Sequence, residues 1–266
     1  MKMIKKSPFI KIYIGIVTAF LFLGPAYSAG KSKGVVDDYD FSFEGMFGTY
    51  DRDQLRRGLQ VFTEVCAGCH GLSKVAYRNL GDAGGPELSQ EEIKDYMSDF
   101  EIYDLELDDY RAVTPSDKFA MSAVENAPDL SLMAKARAGF HGPYGLGINQ
   151  LMKGMGGPEY IVNLLLKFNE EEKEQAGSIL YGNDIYPGGW INMGQPLWGE
   201  DVEYEDGTEA TMEQEAQDVA AFLMWTAEPK LNVRKETGFR ALSMLIILAT
   251  LLFFTNRRLW APIKGK

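Results

Sequence analysis

The chain has 266 residues, of which 45% are hydrophobic, and its formal net charge at pH 7 is −11. This length suits one large or two small domains, and so acidic a balance excludes a protein that binds nucleic acid through a basic surface. Only two cysteines are present, Cys66 and Cys69. The loop between them is too short for an ordinary structural disulfide, so both thiols are expected to serve another chemistry.

The first 28 residues have the pattern of a secretory signal peptide. Four lysines make a basic start, an uncharged apolar run covers 12–23, and Ala26 and Ser28 provide small residues before a cleavage site. The alternative is an uncleaved membrane helix, for which the run is short because a span needs about 20 apolar residues. Residues 1–28 are therefore predicted to be removed, leaving residues 29–237 as an exported domain.

A helix is predicted to begin at Asp51 or Asp53 and to continue to about Val65, after a coil over residues 29–50. Apolar residues recur in it at near-helical spacing, and an aspartate is a favourable N-cap. The sequence Cys-Ala-Gly-Cys-His over 66–70 follows directly. The motif is therefore expected at the end of a helix.

The Cys-x-x-Cys-His spacing is the signature of covalent haem c attachment. Cys66 and Cys69 would form thioethers with the two vinyl groups, and His70 would bind the iron. Three alternatives remain: a zinc ribbon, which needs a second ligand pair where only His141 is left; a thioredoxin-type motif, which needs a βαβ context; and a chance match. The export signal favours haem, because attachment to this motif occurs outside the cytoplasm.

The elements predicted beyond the motif are mostly helices separated by long loops. Residues 81–127 are acidic and are interpreted as an insertion of loops, apart from one helix that starts at Ser89. Residues 139–157 are rich in glycine without a nucleotide-binding spacing, and 177–200 form an extended segment rich in glycine and proline. The predicted helices are Val75–Leu80, Ser89–Phe100, Pro128–Ala138, Pro158–Phe168, and one with a Thr211/Gln214 capping box that stops before Pro229.

The C-terminal end carries a second apolar run, with the basic residues Arg257 and Arg258 and an aromatic Trp260 behind it. This pattern predicts a membrane-spanning helix over 238–256 and a cytoplasmic tail over 257–266. The alternative is a buried core helix, but no polar face is visible between Leu242 and Phe254. The exported domain is thus expected to be tethered by a single span.

The second axial ligand of the iron is predicted to be Met193. It stands in an extended Gly/Pro segment that is able to lie over a flat ring and present its thioether. Helical methionines are more often used in core packing, and the only other histidine lies in the glycine-rich loop. The competing candidates are His141, Met152, Met155, Met212 and Met224.

At these positions the sequence resembles cytochrome c1, the haem-c subunit of the quinol–cytochrome c reductase (cytochrome bc, Complex III), of the alphaproteobacterial type. The resemblance covers nearly all of the chain after the signal. The matching blocks are 56–62, 66–70, 75–78, 128–131, 136–137, 156–161, Met193, 204–208, 217–219, 222–225 and 227–229. It implies a mostly α, cytochrome c-like fold with long loop insertions and one C-terminal transmembrane helix.

The resemblance also implies roles for residues in these blocks. Met193 becomes the axial ligand opposite His70, and Arg137 looks like the arginine that pairs with a haem propionate. The other residues that resemble haem-pocket positions are Tyr77, Asn126, Pro128 and Tyr160. The alternative for Tyr77 and Tyr160 is an ordinary place in the hydrophobic core.

The resemblance implies an electron-transfer subunit that performs no bond chemistry itself. It would accept an electron from a Rieske iron–sulfur protein and pass it to a periplasmic cytochrome c, beside cytochrome b in a dimeric complex of the bacterial inner membrane. The alternatives are a stand-alone membrane-anchored carrier and a haem sensor. Residues 29–237 carry −20, once the +4 of 1–28 and the +5 of 238–266 are set aside. A soluble or tethered acceptor is therefore expected to be basic.

Overall fold

The structure is a computed structural model, and it describes residues 34–139, 154, 156–175 and 177–264. The predictions for the signal peptide, for His141 and for Met152 and Met155 lie outside these residues. The α-helices are α1 (Arg52–Val61), α2 (Gln90–Met97), α3 (Met133–Ala136), α4 (Gly157–Leu166), α5 (Met212–Ala227) and α6 (Leu231–Lys264). A π-helix (Phe62–Cys66) and a 3₁₀-helix (Tyr77–Gly81) complete the helical part. The predicted mostly α fold with long loops is confirmed.

The core forms where α5 packs against α1 and α4. Phe222 and Trp225 of α5 are fully buried, as are Leu55 of α1 and Phe62 directly after it. Gly58 lets α1 and α5 approach closely, because a Cβ atom at this position would lie 2.1 Å from the carbonyl oxygen of Asp218. The segment that leads into the Cys-x-x-Cys-His motif is thereby fixed against the centre of the domain.

A partly buried ion pair joins the same two helices. Arg57 Nε donates to Asp218 Oδ2 at 2.9 Å, and Arg57 Nη1 donates to Asp206 Oδ2 at 2.7 Å. Gln214 Nε2 also donates to Asp218, at 2.9 Å. Burial raises the pKa of the Asp218 carboxyl, although the hydrogen bonds from Arg57 and Gln214 oppose the rise. The aspartate therefore depends on these donors to stay charged inside the protein.

Two small antiparallel sheets lie among the loops. Strands β1 (Glu101–Asp104) and β2 (Asp109–Ala112) form a hairpin. Strands β3 (Phe168–Gln175), β4 (Ser178–Asn183) and β5 (Trp190–Ile191) form a second sheet with β4 in the centre. Interpreting the rest of 81–127 as loops is therefore wrong at β1 and β2, and the three strands between 168 and 191 were not predicted.

Residues near the end of 81–127 also belong to the core rather than to a surface insertion. Phe119 is buried and stacks on Tyr77 with ring centroids 4.5 Å apart. Phe119 N donates to Val75 O, and Leu72 N donates to Ala120 O, so this stretch runs along the chain that follows the motif. These contacts join residues more than forty positions apart, which local sequence patterns do not reveal.

Helix starts follow the predicted caps more closely than helix ends. Asp51 caps α1, Ser89 forms a capping box with Glu92 at α2, and Thr211 accepts from Gln214 N at α5. The predicted capping box at α5 is only half formed, because the Gln214 side chain donates to Asp218 instead. The predicted helices that begin at Ser89 and Pro158 end earlier than expected, at Met97 and Leu166.

The predicted helix over Pro128–Ala138 shortens to the four residues of α3. Asp129 prevents the longer helix, because its carboxylate accepts hydrogen bonds from Ser73 N at 2.8 Å and from Ser131 N at 3.0 Å. The backbone over 128–131 is thereby held in a turn against the residues that follow His70. This turn places the carbonyl oxygen of Pro128 next to His70.

The long C-terminal helix α6 is apolar and leaves the domain at a fixed point. By length and composition it is able to cross a membrane, and none of its most apolar stretch is buried in the chain. Its first turns are held by Asn232, which accepts from Tyr50 N at 3.2 Å, and by Lys235, whose Nζ donates to the carbonyl oxygens of Phe43 and Gly48. The predicted C-terminal helix is therefore confirmed.

Candidate haem-binding site

The two cysteines lie on one turn at the end of the π-helix. Cys69 N and His70 N both donate to Cys66 O, at 3.1 and 2.9 Å. Cys66 is half-buried and Cys69 is exposed. This turn holds both sulfurs and the histidine in one short stretch that opens to the surface.

The surroundings of Cys66 suit a neutral sulfur. Burial raises the pKa of its thiol to about 12, and the neighbouring Cys69 adds to the rise. A zinc site would need cysteine thiolates, whereas a thioether carries no charge. No group of ligands that combines these cysteines with further His, Asp or Glu residues is present in the described part of the chain. The cysteines therefore fit covalent haem attachment better than zinc.

The ring of His70 is oriented by one hydrogen bond. Its Nδ1 atom lies 2.8 Å from the carbonyl oxygen of Pro128. A carbonyl oxygen only accepts, so Nδ1 carries the proton and Nε2 keeps a free lone pair. Such a partner behind a ligating histidine is the usual arrangement at metal centres. Nε2 is therefore the ring nitrogen of His70 that is able to bind a metal ion.

Two stretches of chain hold the segment after His70 in place. On one side Ala123 N donates to Cys69 O and Leu72 N to Ala120 O. On the other side Leu130 N donates to Gly71 O at 2.8 Å, and Lys74 N donates to the Ser131 hydroxyl at 3.1 Å. Because the Pro128 carbonyl belongs to the second stretch, the His70 ring and the motif are positioned by the same framework.

Met193 follows the end of β5 at the edge of the second sheet. Tyr181 and Gly182 of β4 pair with Ile191 and Trp190 of β5, which fixes the chain two residues before Met193. Met193 is partly buried and packs against the hydrophobic core. It thus lies in an extended segment anchored at one end, as a ligand-bearing loop requires.

The helical methionines are engaged in packing. Met212 and Met224 on α5 are partly buried against the core. The Met212 sulfur also lies 3.7 Å from Gln195 Nε2, from which it accepts a hydrogen bond. These contacts agree with the prediction that both side chains serve the interior. Met193 is partly buried against the same core, and its place as the second ligand stays a prediction.

Arg137 and Tyr160 lie close together where α3 meets α4. Gly157 makes this approach possible, since a Cβ there would lie 1.7 Å from Ala134 O. Tyr160 is buried, and burial raises the pKa of its hydroxyl while the positive charge of Arg137 opposes the rise. Arg137 is exposed. The pairing of its guanidinium with a propionate stays a prediction.

Tyr77 and Asn126 are less closely tied to the motif. Tyr77 packs in an aromatic cluster with Tyr96, Phe100 and Phe119, which explains its burial without a haem. Asn126 lies exposed in a turn. The haem-pocket roles of both residues stay predictions.

Two residues that organise the site were assigned no role from the sequence. Asp129 and Ser131 hold the turn whose Pro128 carbonyl accepts from His70. Burial acts to raise the pKa of Asp129, but hydrogen bonds from Ser131 and Ser73 outweigh it and lower the pKa. The Asp-x-Ser pattern is a common turn signal, and it was the only local indication. The partner of His70 is a main-chain carbonyl, which every residue possesses.

The chain is similar to known proteins over most of its length. The model of the cytochrome C1 family matches residues 41–263. "Cytochrome c1" of Cereibacter sphaeroides is 48% identical over 96% of this chain and 97% of that protein. "Cytochrome b/c1" of Bradyrhizobium diazoefficiens is 38% identical over 94% of this chain and 39% of that protein. "Cytochrome b-c1 complex catalytic subunit, mitochondrial" of Candida albicans is 38% identical over 86% and 78%. The chain belongs to the cytochrome c1 family.

Proposed function

We propose that this chain is the haem-c subunit of a quinol–cytochrome c reductase and carries one haem attached covalently to Cys66 and Cys69. The observation that carries the proposal is the His70–Pro128 hydrogen bond of 2.8 Å directly beside the two cysteines. When bound, the haem iron supplies reversible one-electron chemistry. The described residues fit it, because the turn at the motif offers two sulfurs and an imidazole nitrogen on one short stretch.

The protein's own residues bind and tune the group in this proposal. Pro128 O would hold the proton on Nδ1 of His70 and so leave Nε2 free to bind the iron. Met193 would provide a second ligand, a thioether that favours Fe(II) and raises the potential. Arg137 would pair with a propionate and keep that carboxylate ionised.

The proposed location is the bacterial inner membrane, crossed once. Residues 238–256 span it, the tail over 257–266 is cytoplasmic, and the haem domain over 29–237 is periplasmic. Helix α6 supports the span by its length and apolar composition. Arg257 and Arg258 follow the apolar stretch, and basic residues favour the cytoplasmic side.

Cytochrome b and a Rieske iron–sulfur protein are the proposed partners within the membrane, in a dimeric complex. The printed names of the Bradyrhizobium and Candida relatives associate cytochrome c1 with cytochrome b. The exposed apolar side chains of α6 also offer a surface for neighbouring membrane helices. The electron would enter from the Rieske protein and leave to a soluble or tethered basic cytochrome c.

An exposed tryptophan near the ligand loop supports a docking surface for that acceptor. Trp198 is 73% exposed, five positions after Met193. Its turn is held by Asp201, whose Oδ2 accepts from Trp198 N at 2.6 Å and from Gly199 N at 2.9 Å. Tryptophan is enriched among the residues that contribute most of the binding energy at protein interfaces.

Purification in mild detergent tests the proposal against a stand-alone carrier. A tag on the cytoplasmic tail should recover b-type haem together with c-type haem, and added quinol should reduce both. A tagged chain that purifies with c-type haem alone, from membranes in which cytochrome b is intact, would favour the stand-alone carrier.

A further inference from the structure

A short turn beside the start of α6 presents two apolar side chains to the outside of the domain. The turn covers residues 45–48 and lies between Phe43 and Tyr50, both of which are buried in the core. At its tip Met46 is 49% exposed and Phe47 is 71% exposed. Turns of this kind usually carry glycine or small polar residues at such positions. An exposed apolar pair here is therefore a feature that the packing of the domain does not explain.

The turn is closed on itself and attached to α6. Thr49 N donates to Ser42 O at 3.1 Å, which closes the chain at the base of the turn. Lys235 of α6 extends its amine to the same base, where Nζ donates to Phe43 O at 2.5 Å and to Gly48 O at 3.1 Å. The direction in which the tip points is thus fixed relative to the first turns of the helix.

The apolar tip continues the apolar surface of α6. The ring of Phe47 meets the ring of Phe239 edge to face, with centroids 5.5 Å apart. Met46 lines a cleft together with Phe239 and with Leu242, which lies one turn further along the helix. Both helix residues are exposed and belong to the helix that is long and apolar enough to cross a membrane. The turn and the start of the apolar stretch therefore form one continuous patch.

We propose that Met46 and Phe47 insert into the membrane interface beside α6 and give the domain a second contact with the lipid surface. The proposal rests on the proposed membrane span. Arg240 is exposed and directly follows Phe239. A cationic side chain at the edge of a span reaches back to the headgroups, so the membrane surface would lie at this level. Apolar side chains at the same level enter the boundary between headgroups and acyl chains to a depth of about 5–10 Å.

A lipid surface fits this patch better than a neighbouring protein does. Apart from α6, the patch consists of the side chains of Met46 and Phe47, whereas a stable protein interface includes about 20–30 residues on each side. Insertion of the tip would also restrict the domain. With α6 as one contact and the turn as the other, the domain would be held against tilting about the point where the helix leaves it.

Spin labelling of the haem-containing full chain in nanodiscs of phosphatidylethanolamine and phosphatidylglycerol tests the proposal. A label on Phe47→Cys is exposed to oxygen, which concentrates in the bilayer, and to a nickel chelate, which stays in water, with the iron kept as diamagnetic Fe(II). Leu105→Cys, at an exposed leucine between β1 and β2, is the matched control in water, and Ile247→Cys is the reference within the span. We expect the ratio of oxygen to nickel accessibility at Phe47→Cys to be several-fold higher than at Leu105→Cys and lower than at Ile247→Cys.

Equal ratios at Phe47→Cys and Leu105→Cys, with Ile247→Cys in lipid, would overturn the insertion and leave the membrane span in place. Low accessibility of the Phe47→Cys label to both reagents would also overturn it, because a protein neighbour would then cover the turn. An Ile247→Cys label that is open to the nickel chelate would remove the span itself, and the insertion with it. Met46→Cys, at the other side chain of the tip, should give the same result as Phe47→Cys and replaces it if that variant does not fold.

Discussion

At the scale of single residues, the site depends more on uncharged groups that orient the His70 ring than on groups that supply charge. Pro128 contributes only its carbonyl oxygen, yet this atom decides which nitrogen of His70 is free. Asp129 in turn fixes the turn that contains Pro128. The ring of His70 is thus oriented by its hydrogen bond to Pro128 O and, one step further from the motif, by the two hydrogen bonds that Asp129 accepts.

Replacement of Met193 separates ligation from attachment. In Met193→Leu the haem should stay bound through Cys66 and Cys69, while the sulfur-to-iron charge-transfer band at the red edge of the ferric spectrum disappears. The reduction potential should fall by a sizeable part of the ~0.8 V range that axial ligands control. Met212→Leu is the control, because the Met212 sulfur accepts from Gln195. A band that survives in Met193→Leu would assign ligation to another residue.

Glu215 is expected to make stability depend on pH. It is fully buried, and burial, together with nearby Asp201, raises its pKa from 4.5 to about 7. Between these two values the folded protein holds a proton that the unfolded chain has released, so stability should fall as pH rises through this window. The melting temperature of the wild type should therefore drop between pH 5 and pH 7.

Glu215→Gln should make that dependence shallower, while the raised pKa of Glu159 leaves part of it in place. The amide oxygen is still able to accept from Asp201 N and Val202 N, which lie 2.9 and 3.3 Å from Glu215 Oε1. Glu213→Gln, an exposed position on the same helix, should keep the wild-type slope. Parallel slopes in the two variants would show that Glu215 does not hold the proton.

At the scale of elements, the packing of α1 on α5 positions the motif. Gly58→Ala should destabilise the protein, although alanine is favoured over glycine in a helix by about 1 kcal/mol. The new Cβ would lie 2.1 Å from Asp218 O and 2.6 Å from Phe222 Cβ. Overpacking typically costs about 1–3 kcal/mol, so the net loss should be visible in chemical unfolding. Gly238→Ala lies inside α6 with no atom within 4 Å of the new Cβ, so it should keep or raise stability. A Gly58→Ala variant as stable as Gly238→Ala would contradict the close approach.

The elements that were predicted correctly are those marked by residues within the element itself or at its first turn. Asp51, Ser89 and Pro158 mark helix starts correctly because caps and first-turn prolines act within one turn. Strand β3 was not predicted because its polar side chains are largely exposed on both faces, without the alternation of buried and exposed residues that indicates a strand. It forms by pairing with β4, and this contact is not visible in the sequence of β3 itself. The Phe119–Tyr77 stack escaped for the same reason, since it joins distant parts of the chain.

In the candidate site, too, the residues marked by local chemistry were predicted and the tertiary contacts were not. The motif residues and Met193 were predicted from chemistry that a sequence displays, namely thiols, imidazole and a thioether at suitable positions. The carbonyl of Pro128, the Asp129 turn and the Arg137–Tyr160 proximity are products of tertiary contact.

At the scale of the whole molecule, the charge of −20 over residues 29–237 should govern the encounter with the acceptor. Electron transfer to a basic cytochrome c should slow steeply as salt rises from ~10 mM to ~300 mM, because ions screen opposite charges over a Debye length of about 8–10 Å near physiological salt. Stopped-flow measurements with the native acceptor check this. A rate that does not change across this range would indicate that the acidic charge serves solubility alone, or that the acceptor is tethered to the membrane.

The most direct test of the central claim is acid–acetone extraction of the purified chain, followed by its intact mass. Haem held by thioethers to Cys66 and Cys69 should remain with the polypeptide, which should be heavier than its mature sequence by one haem. Replacement of both cysteines by serine should release the haem into the solvent or prevent its binding. Complete extraction of haem from the wild-type chain, with a polypeptide of unmodified mass, would contradict covalent attachment at this motif.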